Sequence, residues 1–150
     1  MVPEHKIARL LDEVHAGGYE VFPGYTGLSL QQAQAGYNEV GPDKWRPWQR
    51  RALTLAAPIL DVPAFIHDLE ATYHNDGTRE GFEAWNARFR RNGRLHVQRS
   101  IPAWRFLARR VLYGEIEMAY KAVSSSDGWA AWQGAYNRSM EPGPEEAENG

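Results

Sequence analysis

A chain of 150 residues and 17.0 kDa is long enough to bury a core as one domain without covalent staples. It has no cysteine, which excludes disulfides, thiolate catalysis and cysteine-based zinc sites. The formal net charge of -2 hides an asymmetry: residues 141–150 hold four acids and no base, whereas Lys44 to Arg110 hold thirteen Lys or Arg against six Asp or Glu.

Residues 3–15 read as an amphipathic helix, because Ile7, Leu10, Leu11 and Val14 recur at helical spacing before Gly17 and Gly18 stop the pattern. From Gly17 to Gly41 the chain has no sustained period apart from a short helix expected at Ser29 to Gln34. Pro47 then suits a first helical turn, and Trp48, Ala52, Leu55 and Ile59 carry a second long helix to about Leu60. Asp61 reads as the N-cap of another helix, with Pro63 in its first turn, Phe65, Leu69 and Thr72 on its inward face, and an end at Asn75-Asp76-Gly77. Thr78 is placed to cap the next helix, whose inward face is Phe82, Asn86 and Phe89 and whose end is expected near Gly93. Ser100 and Pro102 open a helix in which Trp104, Leu107, Val111, Gly114 and Met118 keep helical spacing up to about Val123. Asp127 is the expected cap of a last helix bearing Trp129, Trp132 and Tyr136, and residues 141–150 read as an acidic disordered tail. The expectation is an all-α single domain over 1–140, of about five to six helices.

Four features could carry chemistry: the His67-Asp68 pair, the inward Asn86, the segment Gly36 to Pro42, and the aromatic and basic run Lys44 to Arg51. Adjacent helical residues point about 100° apart, so His67 and Asp68 serve different neighbours rather than each other. A histidine suits a general base near neutral pH, and an aspartate near backbone carbonyls makes a hard oxygen site suited to Ca²⁺. The plainer reading packs His67 at a helix interface and turns Asp68 to water. Asn86 between two inward phenylalanines needs a hydrogen-bond partner, and an imidazole on a neighbouring helix would satisfy it.

The ordered set Tyr37-Asn38-Glu39-Val40-Gly41-Pro42, the basic helix with Trp48, Pro63-Ala64-Phe65-Ile66-His67-Asp68, and Asn86-Ala87-Arg88-Phe89-Arg90-Arg91-Asn92 resembles the phospholipase A2-like domains of bacterial and phage proteins. The resemblance covers about residues 37–95. It implies a central pair of antiparallel helices, with His67 activating water against a phospholipid ester. It further implies Ca²⁺ held by Asp68 and by loop carbonyls around Asn38 and Gly41, to neutralise the developing oxyanion. The family pattern has an aspartate where Asn86 stands and a tyrosine where Ala71 stands. An amide stabilises an imidazolium less than a carboxylate does. Two functions follow: calcium-dependent phospholipid hydrolysis, or a non-catalytic accessory or binding protein of the same fold, phage-associated or bacterial.

The basic excess is explained most simply as a solvated surface, with an anionic phospholipid or membrane surface as the alternative partner. Arg88, Arg90, Arg91, Arg94 and Arg99 accompany no nucleic-acid motif, so nucleic acid is disfavoured. Met1 to Val14 is interrupted by Glu4, Lys6, Arg9, Asp12 and Glu13, unlike a signal peptide, and no apolar run reaches membrane-spanning length. The expected location is the cytoplasm, with a virion as the alternative.

Overall fold

A computed structural model describes residues 2–37 and 47–140, and the side chains of 2–37 and 59–140. Among them the chain forms six α-helices and one 3-10 turn: α1 (Glu4–Gly17), the turn Tyr25–Gly27, α2 (Leu30–Gly36), α3 (Pro47–Tyr73), α4 (Arg79–Ser100), α5 (Phe106–Val123) and α6 (Ser126–Met140). The all-α single domain is what the helical periodicity requires. Among the described residues no helix is long and apolar enough to cross a membrane.

The apolar period of α1 buries Ile7, Leu10 and Val14, and left-handed Gly18 at its C-cap turns the chain out of the helix. Ser29 begins α2 with a reciprocal capping box: its hydroxyl accepts from the Gln32 amide at 3.2 Å and its own amide donates to the Gln32 side chain at 2.8 Å. Thr78 caps α4 by accepting from the Gly81 amide at 2.9 Å.

Four boundaries differ from the sequence expectation. Asp61 is not a cap, because the two expected helices are one continuous 27-residue α3. An interior proline costs a helix about 3 kcal/mol through its missing N–H and its clash with the preceding turn. Here Leu60, Val62, Phe65, Ile66 and Leu69 are almost wholly buried around Pro63, and each such side chain contributes about 1.5–3 kcal/mol. Packing therefore outweighs the local break, and Asp61 instead accepts from Arg9 of α1 at 3.4 Å. Nor does Gly93 end α4. It admits a close neighbour, since a Cβ there would stand 2.9 Å from Ile116 Cδ1 of α5. Further on, α5 begins at Phe106 rather than near Ser100: residues 101–105 form a turn closed by Arg105 N–H to the Pro102 carbonyl at 3.0 Å. The Arg109 side chain donates to the carbonyls of Ile101 and Gln98, satisfying the frayed end of α4. Lastly, Asp127 lies inside the first turn of α6, while Ser125 Oγ accepts from the Gly128 amide at 3.4 Å.

α3 is the hub. One of its faces packs Val62, Phe65, Ile66 and Leu69 against α1 and against Phe22, Tyr25 and Tyr37. Ile59 and Leu60 join Phe89 and Val97 of α4 to Ile116, Ala119 and Val123 of α5. A third cluster gathers Phe82, Trp85 and Trp132, tying α6 to the start of α4.

Candidate functional site

α3 and α4 are joined by only five residues, so they pack antiparallel and bring His67 level with Asn86. The His67 Nε2 and Asn86 Oδ1 atoms lie 3.2 Å apart. Since the amide oxygen can only accept, Nε2 carries the proton and Nδ1 keeps its lone pair. The ring stacks on Trp85 at 3.6 Å between centroids and 7° between planes, with Phe89 on it at 4.8 Å. The Trp85 indole N–H donates to the His67 carbonyl at 2.7 Å, which fixes ring and backbone together.

His67 is 7% exposed and Asn86 is 1% exposed. Burial lowers the His67 pKa to about 3, overriding the opposing effect of the Asn86 hydrogen bond. The imidazole is therefore neutral through the physiological range. One turn on, buried Glu70 pairs with Arg88 of α4. Burial nonetheless holds the Glu70 carboxyl above its ordinary pKa. The inner surface between α3 and α4 thus offers a neutral imidazole, an amide and a compensated ion pair.

Asp68 is half-buried on the adjacent face of α3. Its carbonyl accepts from Thr72 Oγ1 at 3.0 Å, and the same hydroxyl lies 3.4 Å from the Gly36 carbonyl at the end of α2. Tyr37 packs edge-on against Phe65 at 5.3 Å. The chain thus enters the segment expected to supply carbonyl ligands alongside the turn of α3 that bears Asp68. Asn38 and Gly41 themselves, with the rest of that segment and the side chains of the Lys44 to Arg51 run, lie outside the described residues. Among the described residues no three His, Asp or Glu side chains gather as a metal site.

Two contributors escaped the sequence reading. Trp85 lies three residues after Phe82 and so shares its face, a spacing that could have found it. Asn92, 1% exposed, accepts from the Glu20 amide at 2.9 Å and donates to the Glu20 carbonyl at 2.8 Å. With Tyr19 OH 2.6 Å from His96 Nδ1 and Arg99 donating to the Gly17 carbonyl at 2.8 Å, it pins the irregular segment after α1 onto α4. The basic run of α4 is engaged internally: Arg88 with Glu70, Arg90 and Arg94 with Glu117, Arg91 with Glu20. No family model, curated protein or solved structure matches the chain.

Proposed function

We propose that the chain is a non-catalytic accessory or binding protein built on a phospholipase A2-like pair of helices, phage-associated or bacterial in origin. The observation that carries this reading is the setting of His67: closed in by Trp85 and Phe89, neutral, and facing an amide. A general base must accept a proton during turnover, and its efficiency is greatest with a pKa near the working pH. A base whose conjugate acid has a pKa of about 3 is more than three units from that condition. Asn86 offers no charge to recover it. The pair instead joins α3 to α4 by a polar contact within an apolar interface.

The alternative is calcium-dependent phospholipid hydrolysis, with His67 as base and Asp68 holding the metal beside carbonyls of residues 38 and 41. Two placements favour it: the Nδ1 lone pair left by the Nε2–H contact, and the approach of Gly36 and Tyr37 to α3 near Asp68. Bound calcium would supply charge to polarise the ester carbonyl. Fatty-acid release from anionic and zwitterionic vesicles at millimolar calcium separates the readings. The non-catalytic reading expects wild type to match the His67→Ala background, and Asp68→Ala to leave calorimetric calcium titrations unchanged. Calcium-dependent release abolished by His67→Ala would overturn it and establish the hydrolase. Asn86→Asp sharpens the comparison, because a carboxylate at that place raises the His67 pKa.

A further inference from the structure

The spacing that marks α5 in the sequence is not the face that α5 buries. Ile116, Ala119 and Val123 pack inward against α3 and α4. Leu107, Val111 and Met118 are 65%, 63% and 49% exposed, and Gly114 is exposed between them. These four positions are separated by four, three and four residues, which is the heptad spacing of a two-helix seam. Trp104, 78% exposed, lies in the turn just before α5.

Gly114 has no intramolecular reason to be glycine. A Cβ built there meets nothing within 4 Å, and its residue is helical. Where two helix backbones approach closely, an absent side chain is what permits the contact. Directly beside the seam, Arg110 and Glu115 occupy its opposite flanks. Among the described residues neither has an ion-pair partner. Five residues apart on one helix they cannot meet each other, but in a parallel two-helix pair that is the separation at which flanking charges bridge from one helix to the next. A two-fold axis running along the helices would satisfy both charges twice.

The geometry points to a second copy of this chain as the occupant: a parallel homodimer formed through the outer face of α5, with Leu107, Val111, Gly114 and Met118 meeting their own counterparts. Arg110 of each protomer pairs with Glu115 of the other. The surface is isologous, as a two-fold requires. At about 1.5 Å rise per residue, Leu107 to Met118 spans roughly 16 Å. Such a seam lies at the small end of stable interfaces, so the association is weak and concentration-dependent. This inference is independent of the His67 reading, because it uses none of that site's residues.

The test is sedimentation velocity of the full chain from low to high micromolar concentration, with far-UV circular dichroism to check each variant's fold. Wild type shifts from monomer to dimer over that range. Val111→Asp stays monomeric with an unchanged spectrum, its position being exposed in the monomer. Arg110→Glu and Glu115→Arg each weaken dimerisation by about tenfold, since each turns two attractive contacts into repulsive ones, and the double exchange restores it. Because the chain has no cysteine, Val111→Cys reports orientation directly: mild oxidation gives a disulfide-linked dimer only if position 111 meets itself. A chain that remains monomeric at high micromolar concentration overturns the inference. So does a dimer indifferent to Val111→Asp or to the charge exchange. Monomeric capture by anionic vesicles through Leu107 and Val111, without self-association, also overturns it, by assigning the face to a lipid surface.

Discussion

Protonating His67 inside the folded chain is costly, and that cost makes stability depend on pH in a way one substitution should remove. The native pKa is about 3, whereas the ordinary value is 6.5. Between these values the unfolded chain holds the proton and the native chain does not, so stability falls as pH falls. The contribution is complete above the unfolded pKa and exhausted near the native one. At about 1.36 kcal/mol per unit, going from about pH 7.5 to about pH 5 crosses roughly 1.5 units below the unfolded pKa and removes about 2 kcal/mol. His96 and Glu20, both with lowered pKa, slope the same way, and Glu70, with a raised one, slopes the other. The informative quantity is therefore the difference between wild type and His67→Gln, which keeps a neutral polar side chain beside Asn86. Urea unfolding followed by tryptophan fluorescence at the two pH values measures it. Wild type should lose about 2 kcal/mol more than the variant on acidification. Equal losses would show that His67 titrates as a solvated histidine, and the argument from its burial would fail.

Arg88→Met leaves the Glu70 carboxylate, 3% exposed, without its counterion. The expected cost at neutral pH is about 3–5 kcal/mol, part of which returns on acidification as Glu70 protonates; urea midpoints across pH would show both. Replacing Thr78 by Ala removes the acceptor of the Gly81 amide and should cost about 1 kcal/mol, read as a drop in melting temperature of a few degrees. Glycine-to-alanine changes in neighbouring helices should have opposite signs. At dilute concentration Gly114→Ala stabilises by about 0.5–1 kcal/mol, since its Cβ enters open space. Gly93→Ala destabilises by about 1 kcal/mol, because wholly buried Ile116 must yield; calorimetric melting temperatures decide both.

What the sequence made legible was what local chemistry controls. The period of α1, the short helix near Ser29 to Gln34 and the Thr78 cap that opens α4 are short-range, and the structure places α1, α2 and the start of α4 within a few residues of the expectation. Asn86 was readable as a buried amide in need of a partner because it sits between Phe82 and Phe89 on an inward stripe, and an imidazole on a neighbouring helix was one way to satisfy it; His67 fills that place. Two things were hidden. Proline at 63 and a capping residue at 61 signalled a break that burial of their neighbours overrides, and burial is not a property of adjacent residues. The cations of α4 looked available because their acids, Glu20, Glu70 and Glu117, stand far away in sequence.

α5 shows the same limit more sharply. A helix with one buried contact needs one apolar stripe, with polar residues opposite. α5 carries two, Ile116, Ala119 and Val123 inward and Leu107, Val111 and Met118 outward. Periodicity finds both and cannot rank them, since each has helical spacing. Packing ranks them by covering the first. The second then becomes informative because the fold leaves it in water, flanked by an arginine and a glutamate that have no ion-pair partner among the described residues. A stripe with heptad spacing and complementary flanks is matched to its own copy, which is why the decisive measurement on this face is self-association rather than a search for a different partner.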